Sequence, residues 1–319
     1  TSGSGSGSSS GSSSGGNGDT QLAGGLSGLS SLLVVGSNAY WVAPKTGIQS
    51  VAVTGGTPTT IYADASIDGT LATDGTLLYF TSSPNGASEL DSVSLTGSGE
   101  QMLASGFEIL VGKQSGSQMF VTGGNVYFAT FPTSIVSVPT AGGTATTVAT
   151  STQQATLLWA DASGLYFLDG LNVDWTPLAG GTPATVYDGS GATAGNTPVA
   201  IGSLTVVGGT AYLLVDSDGT GSGSVALMKS TGGATATTVA TYGNEATQSG
   251  SGIVGDANGL YEFVGGNSGG IYGAAPSTGA QTLLDSPIDL TNDVHALDAS
   301  HVYFGQVGNS QFSLWARAR

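Results

Sequence analysis

Two histidines are the residues of this sequence best suited to acid–base chemistry. His295 and His301 both lie near the end of the 319-residue chain. A catalytic base needs a tuned pKa and a nucleophile or substrate within hydrogen-bond reach. His295 alternates with apolar neighbours and His301 stands at a turn, so we expect structural roles for both. The sequence has no cysteine for thiol catalysis. We therefore predict that the protein is not an enzyme and assign no catalytic residue.

Metal and cofactor chemistry has few candidate residues. Asp216-Ser217-Asp218-Gly219 resembles the opening of a calcium loop, but it lacks a third ligand at the expected place and the closing bidentate Glu. A solvated turn between two apolar segments explains it equally well. No glycine-rich segment contains the Gly-Lys-Ser/Thr of a phosphate loop. The sequence predicts no metal-binding residue and no cofactor.

Four aspartates each lie five residues before a tyrosine: Asp74, Asp161, Asp256 and Asp298. If they belong to equivalent repeats, their carboxylates form part of a ring on one face, where they could capture a cation or another ligand. The alternative is local, because an aspartate in a turn accepts a hydrogen bond from the backbone two residues on. We favour the turn interpretation.

Those tyrosines belong to a repeat that predicts the architecture. Seven tyrosines recur at intervals of 39, 48, 39, 46, 49 and 42 residues: Tyr40, Tyr79, Tyr127, Tyr166, Tyr212, Tyr261 and Tyr303. Trp or Phe follows five of them, whereas Leu213 and Glu262 follow the other two. This period fits one four-stranded propeller blade per copy. We expect the tyrosines to pack between blades and not to stack a ligand.

Each repeat reads as four short antiparallel strands. The clearest copy is 153–187, in which β-branched and aromatic runs alternate with glycine and aspartate turns. Gly-Gly pairs such as Gly55-Gly56 and Gly142-Gly143 precede threonine-rich fourth strands, which suit an outer edge. No stretch has the 3.6-residue period of an amphipathic helix.

The two ends of the chain complete one another. The last repeat lacks a fourth strand after Trp315, and Thr20–Gly25 reads as a fourth strand without a preceding repeat. An unpaired third strand would leave an exposed edge. We therefore predict an all-β fold, a seven-bladed β-propeller of four-stranded antiparallel blades whose last blade is closed by an N-terminal strand. Residues 1–18, almost wholly Gly and Ser, read as a flexible leader to a propeller domain over 19–319.

The aromatic pairs resemble those of YWTD-type propellers, in which Tyr-Trp on the second strand precedes a turn. The matching pairs are Tyr40-Trp41, Tyr79-Phe80, Tyr127-Phe128, Tyr166-Phe167 and Tyr303-Phe304. This sequence departs in having seven copies where that family has six. It is more similar to bacterial secreted propeller repeats that end in Val-Pro-x-x-Gly-Gly. The resemblance implies a binding surface, commonly for protein or glycan, and no catalytic residues.

Composition limits the partners. Net charge is −16 and only 8 % of residues are charged, with five cations: Lys45, Lys113, Lys229, Arg317 and Arg319. So few cations cannot build a surface that follows phosphates, which argues against nucleic acid. Apolar runs such as Leu32–Val35 are far too short to enter a bilayer as a spanning helix. Scarce lysine and abundant Ser and Thr favour an extracellular or cell-surface location.

Three functions follow from these expectations. The first is a secreted or surface-displayed, non-enzymatic binding or scaffold module for protein or glycan, since the uneven spacing of the repeats indicates loops of variable length on a rigid ring. The second is a structural subunit that assembles into an extracellular homopolymer by donating its N-terminal arm. The third is a glycan-active hydrolase or lyase that uses His295 and His301.

Overall fold

The computed structural model describes residues 18–108, 118–189, 200–216, 225–233, 235–241, 252–264, 270–276, 278, 280–285, 290–308 and 311–319. Within these ranges the chain folds into 28 strands and a single 3-10 turn, Pro84–Gly86. None of the described segments is a helix long and apolar enough to cross a membrane. The predicted leader lies outside the described residues except for Gly18.

The strands form seven four-stranded antiparallel sheets, or blades, numbered here along the chain. Blades 1 to 3 consist of β2 (Ser30–Val35), β3 (Asn38–Ala43), β4 (Gly47–Ala52) and β5 (Thr59–Tyr62); β6 (Ile67–Thr73), β7 (Leu77–Ser82), β8 (Ser88–Ser94) and β9 (Gln101–Phe107); and β10 (Phe120–Thr122), β11 (Asn125–Thr130), β12 (Ser134–Pro139) and β13 (Thr146–Thr150).

The other four blades follow the same order. They consist of β14 (Thr156–Asp161), β15 (Gly164–Asp169), β16 (Asn172–Thr176) and β17 (Ala184–Tyr187); β18 (Ala200–Val207), β19 (Thr210–Asp216), β20 (Val225–Ser230) and β21 (Thr237–Thr241); β22 (Gly252–Asp256), β23 (Gly259–Val264), β24 (Gly270–Ala274) and β25 (Gln281–Asp285); and β26 (Leu290–Leu297), β27 (His301–Gly308), β28 (Gln311–Ala318) and β1 (Thr20–Leu26).

The first strand of each blade lies innermost, and these strands close a ring. Contacts run from β2 to β6, and then through β10, β14, β18 and β22 to β26, which touches β2 again. The predicted seven-bladed β-propeller is therefore confirmed.

The N-terminal strand completes blade 7, as predicted. β1 pairs antiparallel with β28, with Thr20 opposite Ala316 and Leu26 opposite Phe312. Leu22 is 2 % exposed and belongs to the apolar cluster between blades 7 and 1. The first and last described strands of the chain thus share one sheet.

Among the described residues the hydrophobic core is divided into seven clusters, each between two neighbouring blades. Each repeat tyrosine packs against the following blade, and the residue after it faces the preceding blade because side chains alternate along a strand. Tyr79, for example, lies in the cluster between blades 2 and 3, whereas Phe80 lies between blades 1 and 2. The predicted packing role of the tyrosines is confirmed.

Every outer strand carries a β-bulge at an equivalent apolar residue. The bulged residues are Leu22, Ile61, Leu103, Val148, Val186, Val239 and Leu284. A bulge bends the strand and frees a backbone group. The Gly-Gly turns use these groups: Gly56 N donates to Leu22 O at 3.1 Å, and Gly143 N donates to Leu103 O at 3.0 Å. A glycine turn of one blade therefore holds the outer strand of the preceding blade.

Candidate functional site

The two faces of the propeller differ in how regular their connections are. In a four-stranded meander, the turns after the first and third strands lie at one end. We call this end the turn face. The connections after the second strand and to the next blade lie at the other end, the loop face.

Connection lengths separate the two faces. On the turn face, the turns after first strands have two or three residues, as at 123–124 and 298–300, and those after third strands have six or seven, as at 53–58 and 177–183. On the loop face, connections range from two residues at 170–171 to twelve at 108–119. The variation inferred from the repeat spacing therefore lies on one face.

The loop face carries an exposed aromatic side chain where blades 2 and 3 meet. Phe131 is 54 % exposed, and its backbone N–H donates to the carbonyl oxygen of Glu108 at 2.8 Å. The Glu108 side chain is also exposed. This hydrogen bond ties the exit of blade 2 to a loop-face connection of blade 3, so an apolar and an acidic group are presented side by side.

More carboxylates lie on the same face of blades 1 and 2. Asp64 Oδ1 accepts hydrogen bonds from the backbone and hydroxyl of Ser66. Glu89 is the second residue of β8 and lies at the same end of blade 2 as Glu108, since Ser88 pairs with Phe107. The charges of Glu89 and Asp64 act on Asp91, a buried residue of β8. We define the blade 1–3 patch as Asp64, Glu89, Asp91, Glu108 and Phe131.

Four of the five residues of the blade 1–3 patch are acidic and none is basic. Burial raises the pKa of Asp91 to about 6, and the charges of Glu89, Glu100 and Asp64 add to the rise, against a lowering by the 2.6 Å hydrogen bond from Ser82. Three carboxylates therefore raise the pKa of the buried Asp91, and no Lys or Arg is among the groups that shift it. Such a surface can attract basic groups, but it offers no nucleophile.

The four repeat aspartates do what the turn interpretation predicts. Each accepts a hydrogen bond from the backbone N–H two residues on, at 2.7–2.8 Å; the aspartates are Asp74, Asp161, Asp256 and Asp298. Two of them also accept the hydroxyl of the tyrosine five residues on, Asp74 from Tyr79 at 2.8 Å and Asp298 from Tyr303 at 2.6 Å. The aspartate-to-tyrosine spacing thus encodes a turn that is fastened to the core.

Asp256 has a different second partner. The Arg319 guanidinium donates to both of its carboxylate oxygens and lies 5.0 Å from the centre of the Tyr261 ring. Arg319 lowers the pKa of Asp256 to about 2. Within the described ranges, no group of three or more His, Asp or Glu side chains is arranged to hold a metal ion. Of the calcium-loop candidate, Asp216 ends β19 and residues 217–219 lie outside the described residues.

His301 stands beside a serine and an aspartate, but not in the arrangement of a catalytic triad. Ser300 Oγ is 2.8 Å from His301 Nδ1, and Asp298 Oδ1 is 4.0 Å from the same nitrogen. In a triad the nucleophile and the carboxylate contact opposite ring nitrogens. Asp298 Oδ1 also caps the backbone of Ser300 and His301. This cluster therefore shapes a turn.

His295 is packed between blades 6 and 7. Its ring stacks on Phe263 with 4.8 Å between ring centres, and a Cβ on Gly252 would lie 2.0 Å from the His295 ring. Burial lowers the pKa of His295 to about 4, so the ring is neutral at neutral pH. The two histidines lie on opposite faces of the blade 7 sheet, since His295 is across from Phe304 and His301 contacts Tyr303, and they do not form one site.

Two buried groups were missed by the sequence reasoning. Glu262 is fully buried between blades 5 and 6. Gln281 Nε2 donates to its Oε2 at 3.0 Å, and its Oε1 has no hydrogen-bond partner among the residues that the structure describes. In the sequence, Glu262 was marked only as a break in the aromatic pattern, because it follows Tyr261 where Trp or Phe follows most of the repeat tyrosines. The other group consists of Asp19, Asp285 and Arg317, which lie on or beside three different strands and contact one another. No local sequence pattern indicates this group.

Comparisons with known proteins identify the fold and no family. No family model matches the chain, and neither does any curated protein. A solved oligogalacturonate lyase in complex with manganese is similar, with 11 % identity, coverage of 96 % of this chain and 94 % of that one, and a TM-score of 0.68. YCF48 bound to a D1 peptide aligns at 9 % identity, covering 94 % and 96 %, with a TM-score of 0.62.

A third similar structure is BamB from Moraxella catarrhalis, with 14 % identity, coverage of 94 % of this chain and 100 % of that one, and a TM-score of 0.55. At such low identities the likeness concerns the fold alone. The propeller prediction is confirmed, and the more specific resemblance to YWTD-type repeats stays a prediction.

Proposed function

We propose that this protein is a secreted or surface-displayed, non-enzymatic binding module that holds a protein partner on its loop face. The observation that carries the proposal is the contrast between a turn face of uniform turns and a loop face of connections from two to twelve residues. Recognition usually resides in variable loops on a rigid scaffold. Scarce lysine and abundant Ser and Thr support the extracellular location.

The blade 1–3 patch suggests the chemistry of the partner. An exposed aromatic ring is a typical anchor at protein interfaces, and Phe131 presents one beside Glu108. The surrounding carboxylates favour a segment that carries Lys or Arg. We therefore favour a protein partner with a basic and apolar segment over a glycan. One of the similar structures is of a propeller with a bound peptide, which is consistent with this choice.

Peptide selection on the intact protein tests the proposal. A displayed random-peptide library should yield binders rich in Lys, Arg and apolar residues whose affinity falls as salt rises. Phe131→Ser should weaken these peptides at least about tenfold, because it removes the apolar anchor. Leu283→Ser is the matched control, since Leu283 is equally exposed at 53 % but lies on an outer strand of blade 6. Peptides that tolerate Phe131→Ser but not Leu283→Ser would refute this location.

Self-assembly through the N-terminal arm is the second candidate. β1 is a complete strand seated on β28, and residues 27–29 join it to β2. A neighbouring copy could in principle receive the same strand. Size-exclusion chromatography with light scattering separates the two functions, because a monomer at all concentrations excludes the polymer.

A glycan-active enzyme is the third candidate. One similar structure is a lyase, but the fold alone carries no chemistry. Here His295 is buried against Phe263, and His301 belongs to a turn. Any polysaccharide cleavage that is lost on His301→Ala would support this candidate over a binding module.

A further inference from the structure

Blade 7 contacts its neighbour differently from blades 1 to 4. In those blades a turn after the third strand approaches the bulged residue of the preceding outer strand, as Gly56 approaches Leu22 and Gly143 approaches Leu103. In blade 7 the third strand, β28, and the fourth strand, β1, come from opposite ends of the chain. No turn joins them, so none faces the bulge of β25 at Leu284.

Charged side chains occupy that place instead. Asp285 follows the bulged Leu284 on β25, Arg317 lies on β28, and Asp19 immediately precedes β1. Arg317 Nη1 is 3.1 Å from Asp19 Oδ1 and 3.5 Å from Asp285 Oδ2. Their side chains are only 5 %, 8 % and 14 % exposed for Asp19, Asp285 and Arg317. We call these three residues the closure cluster.

The closure cluster has one more acid than base. When both carboxyl groups are ionised, a net negative charge remains in a place with little water, which is unfavourable. A proton shared between the carboxyl groups removes that charge. Burial, followed by the hydrogen bond to Asp285, raises the pKa of Asp19 to about 7, although Arg317 opposes the rise. The charged groups that act on Asp19 are thus Asp285 of β25 and Arg317 of β28.

We propose that the closure cluster is a proton-operated latch on β1, shut when the two carboxyl groups share a proton and loosened when that proton is lost. Asp19 adjoins Thr20, the first residue of β1, so the latch acts directly on the strand that closes the ring. Of the strands in blade 7, β1 is the one that no short turn connects to its sheet neighbour. Its release would uncover the edge of β28 and remove the β1 side chains from the apolar cluster between blades 7 and 1.

The sign follows from the protonation of Asp19 in the two states. In the released strand Asp19 has its ordinary pKa near 3.9, whereas in the latch its pKa is about 7. Release therefore sheds one proton between these values. The equilibrium for release should therefore rise with pH between these two pKa values, by at most about tenfold per pH unit, and level off above them.

Hydrogen–deuterium exchange on the intact chain tests this latch. Protection factors, corrected for the intrinsic pH dependence of exchange, are measured between pH 4.5 and 8 for peptides covering β1 and for peptides covering β14 and β15 in blade 4. We expect the protection factors of β1 to fall steeply as pH rises to about 7, and those of β14 and β15 in blade 4 not to show this fall. A flat profile for β1, or one that falls in step with blade 4, would overturn the proposal.

Matched variants locate the effect. Asp19→Asn mimics the protonated carboxyl group. In this variant the protection of β1 should stay high and no longer change with pH. Asp285→Asn leaves one carboxylate for one guanidinium and should flatten it as well. Asp256→Asn, which removes the partner of Arg319 and not of Arg317, should keep the wild-type profile. If Asp19→Asn does not fold, the wild-type profile and Asp285→Asn decide. An unchanged slope in Asp285→Asn would contradict the latch.

Discussion

At the scale of single residues, the position after each repeat tyrosine shows what the blade interfaces tolerate. It is Trp or Phe in five blades and Leu in blade 5, and all of them pack into apolar clusters. In blade 6 it is Glu262, buried among residues such as Leu260 and Val264 that face blade 5. An ionised carboxylate is costly there, so burial raises the pKa of Glu262 to about 8.

Glu262 should make the fold less stable as pH rises. Its ordinary pKa is about 4.5 and its folded pKa about 8, so the folded state binds the extra proton and the free energy of unfolding falls between these values. In urea denaturation at pH 8, we expect the free energy of unfolding of Glu262→Gln to exceed that of wild type by about 2–5 kcal/mol. At pH 4.5 the two proteins should differ little. Exposed Glu108→Gln is the control. Parallel pH profiles for wild type and Glu262→Gln would refute this role.

The tyrosine hydroxyls that reach turn aspartates should also stabilise the fold. Although burial opposes it, hydrogen bonds from Tyr303 and the neighbouring backbone hold the pKa of Asp298 at about 2. We expect Tyr303→Phe to cost about 1–2 kcal/mol in urea unfolding at pH 7, because a charged acceptor loses its donor. Tyr40→Phe is the matched control, since Val35 stands five residues before Tyr40, and it should cost less than about 0.5 kcal/mol. If both variants lose the same free energy of unfolding, the hydrogen bond from the tyrosine to the turn aspartate does not stabilise the fold.

At the scale of elements, the turns after third strands fasten blades 1 to 4 to the outer strand of the preceding blade. Gly97 and Gly99 lie in one such turn in blade 2, and both have positive φ, +80° and +70°. A Cβ on Gly97 would lie 1.8 Å from the carbonyl oxygen of Ile61 in blade 1, whereas a Cβ on Gly99 meets nothing within 4 Å. Comparing alanine substitutions at Gly97 and Gly99 therefore distinguishes the cost of a steric clash with blade 1 from the cost of the left-handed backbone conformation.

These two glycines give a direct test of blade fastening. Gly99→Ala should cost about 1–2 kcal/mol from the left-handed conformation alone. Gly97→Ala should cost at least about 2 kcal/mol more, because the turn must withdraw from blade 1. Urea denaturation of both variants measures the difference. If the two costs are the same, the turn does not hold the neighbouring strand.

Elements were predictable from the sequence where their signals are local. The Gly-Gly turns, the threonine-rich outer strands and the aspartate turns before Tyr79 and Tyr303 all follow from neighbouring residues. The pairing of β1 with β28 was predictable because each end of the chain lacks the strand that the other supplies, but individual contacts between distant segments were not. Nothing near Gly56 shows that its N–H reaches Leu22, and Asp19, Asp285 and Arg317 meet only once the ring closes. For the blade 1–3 patch, the repeat spacing indicated variable loops but not that Phe131 lies beside Glu108.

At the scale of the whole molecule, the ring depends on its closure. With a net charge of −16, the compact state is opposed by repulsion between carboxylates. Two of the five cations, Arg317 and Arg319, act at the end of blade 7, where they bind Asp19 and Asp256. Together with the pairing of β1 and β28, they fasten the sheet that joins the two ends of the propeller. The loop face can act as a rigid platform only if this sheet holds.

A disulfide across the closing sheet tests that arrangement most directly. The chain has no cysteine, so a double variant Thr20→Cys and Ala316→Cys contains one possible bridge. These residues are opposite one another in β1 and β28, at a spacing that a disulfide can span. Thr20→Cys with Ser94→Cys in blade 2 is the control. We expect an intramolecular disulfide, seen by intact mass and non-reducing electrophoresis, in a monomer of the first variant only. No bridge in the first variant, or a bridge only between chains, would contradict a propeller closed by its own N-terminal strand.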